Sequence, residues 1–322
     1  MRSSIALFGK SALVAAFVTL LALPTLAQVS LRDALDSDGD NKADYVIFRP
    51  SNNRWYIMRS GGTIRQQEFG VANEDWMTPG DYDGDGIGDI AVWRETNGNW
   101  YRLFSGSNTF TIHTWGVPGD EPVARDYDGD GKTDMAVVRR TGGNMIWYTF
   151  HSSTNGFASR QFGAATDYAA PGDYNGDGKF DYAVQRPGAS PTAHSTFYIQ
   201  TATSFSIIPF GQTNDLVAPG DWDGDGKTDI AVVREGATAT DNLTWYVRRS
   251  SDGVMMAPFT WGVTGTDLLA QNDYDGDGKT DIATWRDGNG NWYIRQSASG
   301  NSLRQVQWGM SGDIPVPALY RR

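Results

Sequence analysis

"DYDGDGKTD" (126–134) sets four carboxylates within nine residues, and the chain repeats the pattern six times. The other copies read "DSDGDNKAD" (36–44), "DYDGDGIGD" (81–89), "DYNGDGKFD" (173–181), "DWDGDGKTD" (221–229) and "DYDGDGKTD" (273–281). Their starting positions are 45, 45, 47, 48 and 52 residues apart. A period of this length marks a repeat architecture in which each unit buries its apolar face against its neighbours.

The rest of the unit repeats as well. Each motif runs into a short apolar segment ending in Arg: "YVIFR", "IAVWR", "MAVVR", "YAVQR", "IAVVR" and "IATWR". A turn follows, then an aromatic pair: Trp55–Tyr56, Trp100–Tyr101, Trp147–Tyr148, Phe197–Tyr198, Trp245–Tyr246 and Trp292–Tyr293. An aromatic–Gly pair comes next: Phe69–Gly70, Trp115–Gly116, Phe162–Gly163, Phe210–Gly211, Trp261–Gly262 and Trp308–Gly309. These pieces are short, β-branched or aromatic, and bounded by turn residues, which predicts strands and no helices. The segment after the motif is apolar on both faces, with Ala second in five of six copies, so neighbouring sheets can approach it closely. Four antiparallel strands per unit of about 45 residues predict an all-β fold, a six-bladed β-propeller.

On the aromatic–Gly pair and the "GDEPVARDYDGDGKTD" stretch, residues 30–318 resemble the FG-GAP (VCBS-type) repeat family, whose propellers include the integrin alpha-chain head. The resemblance implies a calcium-binding propeller. It does not fix a function, because the family serves adhesion, lectin-like binding and accessory roles.

The motif itself carries the same implication. Calcium takes six to eight oxygens at about 2.3–2.6 Å, which favours closely spaced carboxylates on a tightly curled loop. Side chains at positions 1, 3, 5 and 9 are expected to converge, and position 7 offers its carbonyl. The candidate ligands are Asp36, Asp38, Asp40, Lys42 and Asp44; Asp81, Asp83, Asp85, Ile87 and Asp89; Asp126, Asp128, Asp130, Lys132 and Asp134; Asp173, Asn175, Asp177, Lys179 and Asp181; Asp221, Asp223, Asp225, Lys227 and Asp229; and Asp273, Asp275, Asp277, Lys279 and Asp281. Position 6 needs a left-handed residue; it is Gly in five copies and Asn41 in the first. Asn175 makes the fourth loop one charge poorer. EF-hand and dockerin loops require a following helix, and a strand follows here. At about 1 mM calcium and a dissociation constant near 0.1 mM, each of about six Ca²⁺ sites would add about 1.4 kcal/mol, together comparable to the whole stability of a domain.

Composition bounds the rest. Arg2 and Lys10, the apolar run "SALVAAFVTLLAL" (11–23) and "PTLAQ" predict a signal peptide over residues 1–27, hence export to the periplasm, cell surface or medium. Residues 28–322 are expected to form one propeller domain, without membrane insertion after cleavage and as a monomer. There is no Cys, so nothing is stapled by disulfides. Net charge is −11, or −13 once Arg2 and Lys10 are lost, which argues against nucleic-acid partners.

Two more residues recur. An Asp stands six before the first ligand slot (Asp75, Asp120, Asp167, Asp215, Asp267, Asp313) and an Arg thirteen after it (Arg49, Arg94, Arg139, Arg186, Arg234, Arg286). They are expected to pair at the end of the hairpin away from the acidic loop. The first unit has Ser30 where Asp is due, and Asp313 has no loop after it, so "DIPVPAL" (313–319) is expected to complete the first blade. The gap from this Arg to the aromatic pair is 6, 6, 8, 11, 11 and 6 residues, so the fourth and fifth units carry long turns, 187–196 and 235–244. The three His residues (His113, His151, His194) have no triad or metal spacing. The expected function is a non-catalytic binding or adhesion module for a glycan or extracellular protein. The alternatives are a polysaccharide lyase and a purely structural surface component.

Overall fold

A computed structural model describes residues 34–316; the expected signal segment lies outside them. Six four-stranded antiparallel sheets follow one another around the ring, and the described residues contain no helix. The second blade gives the pattern: a short strand Asp75–Met77, then the acidic loop, Ile90–Arg94, Asn99–Leu103 and Phe110–Thr114. Burial peaks in the second strand and falls outward from it. Ile90, Ala91, Val92 and Trp93 are all buried, the third strand is mostly half-buried, and the outer strand alternates between half-buried and exposed. Apolar character on both faces of "IAVWR" therefore reports its place between two packed sheets.

The aromatic slots join the blades. Trp55, Trp100, Trp147, Trp245 and Trp292 are buried, and each donates its indole N–H to the carbonyl of the aromatic preceding Gly in its own blade, at 2.9–3.1 Å. Phe197 has no N–H to give. Ser195 donates its hydroxyl to Phe210 O instead, at 2.6 Å. The Trp of the aromatic–Gly pair reaches across to the next blade: Trp115 to Tyr148 O, Trp261 to Tyr293 O, and Trp308 to Tyr56 O. The last of these joins the sixth blade to the first. Trp222, inside an acidic loop, also belongs to the core, packed against Trp245, whereas Trp76 is exposed.

All six Asp–Arg pairs form, each within one blade. Arg Nε and a terminal nitrogen grip the two carboxylate oxygens at 2.6–2.9 Å. Each guanidinium also lies 4.3–4.7 Å from the ring of its unit's Tyr. The same carboxylate accepts the N–H of the residue after the aromatic–Gly pair, at 2.7–3.0 Å. Gly70 explains the pair's Gly: its φ is 85°, and a Cβ there would meet Val92 at 3.1 Å. The aspartates are almost wholly buried, so these pairs are not the weak surface contacts that exposure would make them.

The ring closes as the missing Asp implied. Ile314–Pro315 pairs antiparallel with Tyr45–Arg49, and Arg49 pairs with Asp313. Asp313→Ala would leave Arg49 without its carboxylate and loosen this strand. It should lower unfolding free energy in urea by about 2–4 kcal/mol. An unchanged midpoint would contradict closure through this residue.

Candidate metal centre: the ring of acidic loops

Each loop is curled by its first aspartate. One oxygen accepts the N–H of the fourth residue at 2.6–2.7 Å, and the other accepts that of the sixth at 2.7–3.0 Å. The curl needs left-handed backbone at position 6, and Asn41 supplies it with φ 63° where the other loops use Gly. Position 4 is also a positive-φ Gly in all six copies, a demand that the sequence reading missed. In the loops starting at Asp36, Asp81, Asp126 and Asp221, among others, carboxylate oxygens from positions 1, 3 and 5 come within 4.8 Å of one another.

The ninth aspartate is placed differently. One oxygen accepts the N–H of position 2 at 2.9–3.0 Å. In five units the other accepts a backbone N–H from the turn between the third and outer strands: Ser60, Ser105, Ser152, Ser250 or Ser297, at 2.6–2.9 Å. In four of these the serine hydroxyl also reaches the fifth-position carboxylate, Asp40, Asp130, Asp225 or Asp277. The signal was present in the sequence, because a Ser stands four residues after the Tyr of the aromatic pair. The fourth unit has Ala202 at that spacing, so the loop that carries Asn175 also lacks the serine.

The loops are joined to one another. The position-8 N–H of each donates to the backbone carbonyl of the preceding loop's first aspartate at 2.6–2.7 Å: Gly88 to Asp36, Thr133 to Asp81, Phe180 to Asp126, Thr228 to Asp173, Thr280 to Asp221, and Ala43 to Asp273. Six bonds thus form a closed circle. At its centre is a cavity of about 580 Å³, lined by loop residues that include Arg125, Lys132, Lys279 and Phe180.

Crowding these acids has an electrostatic cost. Burial, reinforced by neighbouring carboxylates, pushes Asp44, Asp126 and Asp229 up to about 6 and Asp89, Asp181 and Asp281 up to about 7. Burial raises Asp81, Asp134, Asp173 and Asp221 in the same direction. Water does not reach these groups well enough to solvate a full charge, and few cations stand beside them. The donor set is therefore hard oxygen, clustered and short of positive charge, which fits a divalent ion of the calcium class. Asp36, Asp38 and Asp40, and their counterparts in the other loops, would hold such an ion; bound, it would neutralise the cluster and brace the curl.

Residues 36–92 and 126–184 match the FG-GAP-like repeat model. With six four-stranded sheets in a ring, the chain is an FG-GAP-repeat β-propeller. No curated protein sequence matches it significantly. Among solved structures, AofleA from Arthrobotrys oligospora is similar at 10% identity and a TM-score of 0.50, over 86% of this chain and 88% of that one. A catalytically inactive virginiamycin B lyase from Staphylococcus aureus, solved with quinupristin, has 11% identity and a TM-score of 0.45, over 84% and 86%. The likeness to AofleA, at such identity, concerns the fold alone.

The raised carboxyls give a signed pH dependence. A carboxyl that holds its proton more tightly when folded contributes most to stability while protonated, and that contribution is lost as pH rises from about 4 through about 7. In buffer stripped of divalent cations, the protein should melt at a higher temperature at about pH 5.5 than at about pH 8. The opposite order in a thermal scan would contradict the account of these loops.

Proposed function

We propose that this propeller is exported, that calcium occupies its acidic loops, and that the braced ring serves as a non-catalytic binding or adhesion module for a glycan or an extracellular protein. The observation that carries the reading is the circle of six loops, with clustered carboxylates that have too little positive charge around them. Calcium would act structurally, since every loop is tied into the same circle. The long turns of the fourth and fifth blades, at the Arg–Asp end of the ring, supply irregular surface on a rigid scaffold, where recognition commonly resides. Gly188 and Gly236 tie these turns down by donating to the hydroxyls of Thr213 and Thr264, both at 2.8 Å.

One observation favours a second reading, a polysaccharide lyase. Arg125 is a basic side chain at the axial cavity and does not belong to the repeated Arg set. A uronate-bearing polymer would be its substrate class.

Chelation should lower the melting temperature by roughly 15 °C at neutral pH, and elemental analysis of the untreated protein should find about six divalent ions, most of them calcium. Unchanged melting with no bound calcium would overturn the metal reading. A glycan array run with and without chelator should show cation-dependent retention of one glycan class. Release of unsaturated uronate from a polysaccharide panel would replace the binding-module reading with the lyase.

A further inference from the structure

The third loop departs from the other five. Three residues after the Tyr of the aromatic pair, where the other units carry Arg59, Phe104, Thr201, Arg249 and Gln296, it has His151. The imidazole turns into the loop. Its Nδ1 lies 3.4 Å from Asp134 Oδ2 and 3.6 Å from Asp128 Oδ2. These ligand atoms come from positions 3 and 9 of the loop and from the end of the hairpin that follows it, and all lie within 4.8 Å of one another.

These separations are long for charge-assisted hydrogen bonds, which run about 2.7–2.9 Å. The shorter equals, and the longer slightly exceeds, the edge of a tetrahedron with bonds of 2.0–2.1 Å, which is about 3.3–3.4 Å. The other ring nitrogen, Nε2, sits 3.4 Å from the hydroxyl of buried Thr149. An Nε2–H donated to Thr149 leaves the Nδ1 lone pair aimed at the two carboxylates, and a metal-binding histidine is commonly oriented by just such a partner on its far nitrogen. Imidazole nitrogen suits zinc and its neighbours in the transition series, whereas an all-oxygen loop suits calcium.

We propose that the third loop takes a zinc-class divalent cation, held by His151 Nδ1 with carboxylate oxygens of Asp128 and Asp134, while the other loops take calcium. The inference rests on reading the loops as cation cages, and it adds a different metal at one of them.

The test uses untagged, cation-stripped full-length protein, dialysed against micromolar zinc in millimolar calcium and analysed for both elements. About one zinc per chain should be retained. His151→Ala should lose it, binding zinc at least tenfold more weakly, while its calcium content stays that of the wild type, which also reports that the variant folds. Cobalt(II) loaded into the wild type gives a readout that needs no variant. A four-coordinate site containing nitrogen shows intense visible absorption, and an all-oxygen octahedral site shows only weak bands. Calcium retained without zinc would overturn this inference and leave the proposed function standing, as would zinc that survives His151→Ala or is lost on His113→Ala or His194→Ala instead. A chain that binds neither cation would defeat both readings.

Discussion

Six backbone hydrogen bonds, each from the eighth residue of one acidic loop to the first aspartate of the loop before it, set the terms for the rest of this propeller. They bring six carboxylate-rich turns side by side around the axis, and they close on themselves through Ala43 and Asp273. A loop cannot uncurl or move away from the axis without breaking two of them. The acids therefore cannot relieve their mutual repulsion by spreading apart. Their remaining options are to hold protons, as the raised ninth-position carboxyls do, or to gather positive charge.

The two ends of each hairpin are in opposite electrostatic condition. At the far end every buried aspartate meets an arginine in a two-pronged contact, a backbone N–H completes its shell, and a tyrosine ring lies beside the guanidinium. Charge there is matched within the blade. At the axial end carboxylates outnumber cations, and five of the six loops contribute one lysine each. Those lysines do not sit inside their own cages. Lys132 lies over Gly84 of the preceding loop, Lys179 over Gly129, Lys227 over Gly176, Lys279 over Gly224 and Lys42 over Gly276. Five of the loops thus lend a cation to the loop before them, and these neighbours are coupled electrostatically as well as by backbone hydrogen bonds; the second loop sets Ile87 over Gly39 instead. A linear array of repeats would leave two ends unsatisfied; closure through Ile314–Pro315 removes both.

Much of this was legible in the sequence because it repeats. Blade number, strand order, the buried strand after each motif and the Asp–Arg pairs follow from spacing alone. Ring closure follows from one break in that spacing, Ser30 and Asp313. Asn41 was readable as a left-handed residue because only a turn explains Asn where five copies have Gly. Repetition also concealed things. The circle of inter-loop bonds is backbone chemistry and leaves no side-chain signature. Its one trace is a complementarity that runs between units: Gly80 faces Thr133, Gly172 faces Thr228 and Gly220 faces Thr280, with no room for a Cβ on the glycine. Where the third unit has Arg125, the next has Phe180, and the guanidinium lies 5.7 Å from that ring. His151 was read as an isolated histidine, because its partners are brought to it by the pairing of strands 135–141 and 144–150, which sets it beside a loop that ends seventeen residues earlier in the chain. A search for sameness finds the scaffold, and the departures from sameness are where one unit differs chemically from the rest.

The acidic loops hold together as one circle, and we propose that divalent cations are what allow them to stay charged. Hydrogen exchange at the amides of Ala43, Gly88, Thr133, Phe180, Thr228 and Thr280 tests it most directly, measured at neutral pH with calcium and then with chelator. All six should be strongly protected in calcium and lose protection together on chelation, while the amides that serve the Arg–Asp end of the ring lose less. Six amides that keep equal protection in both conditions, or that exchange independently of one another, would contradict it.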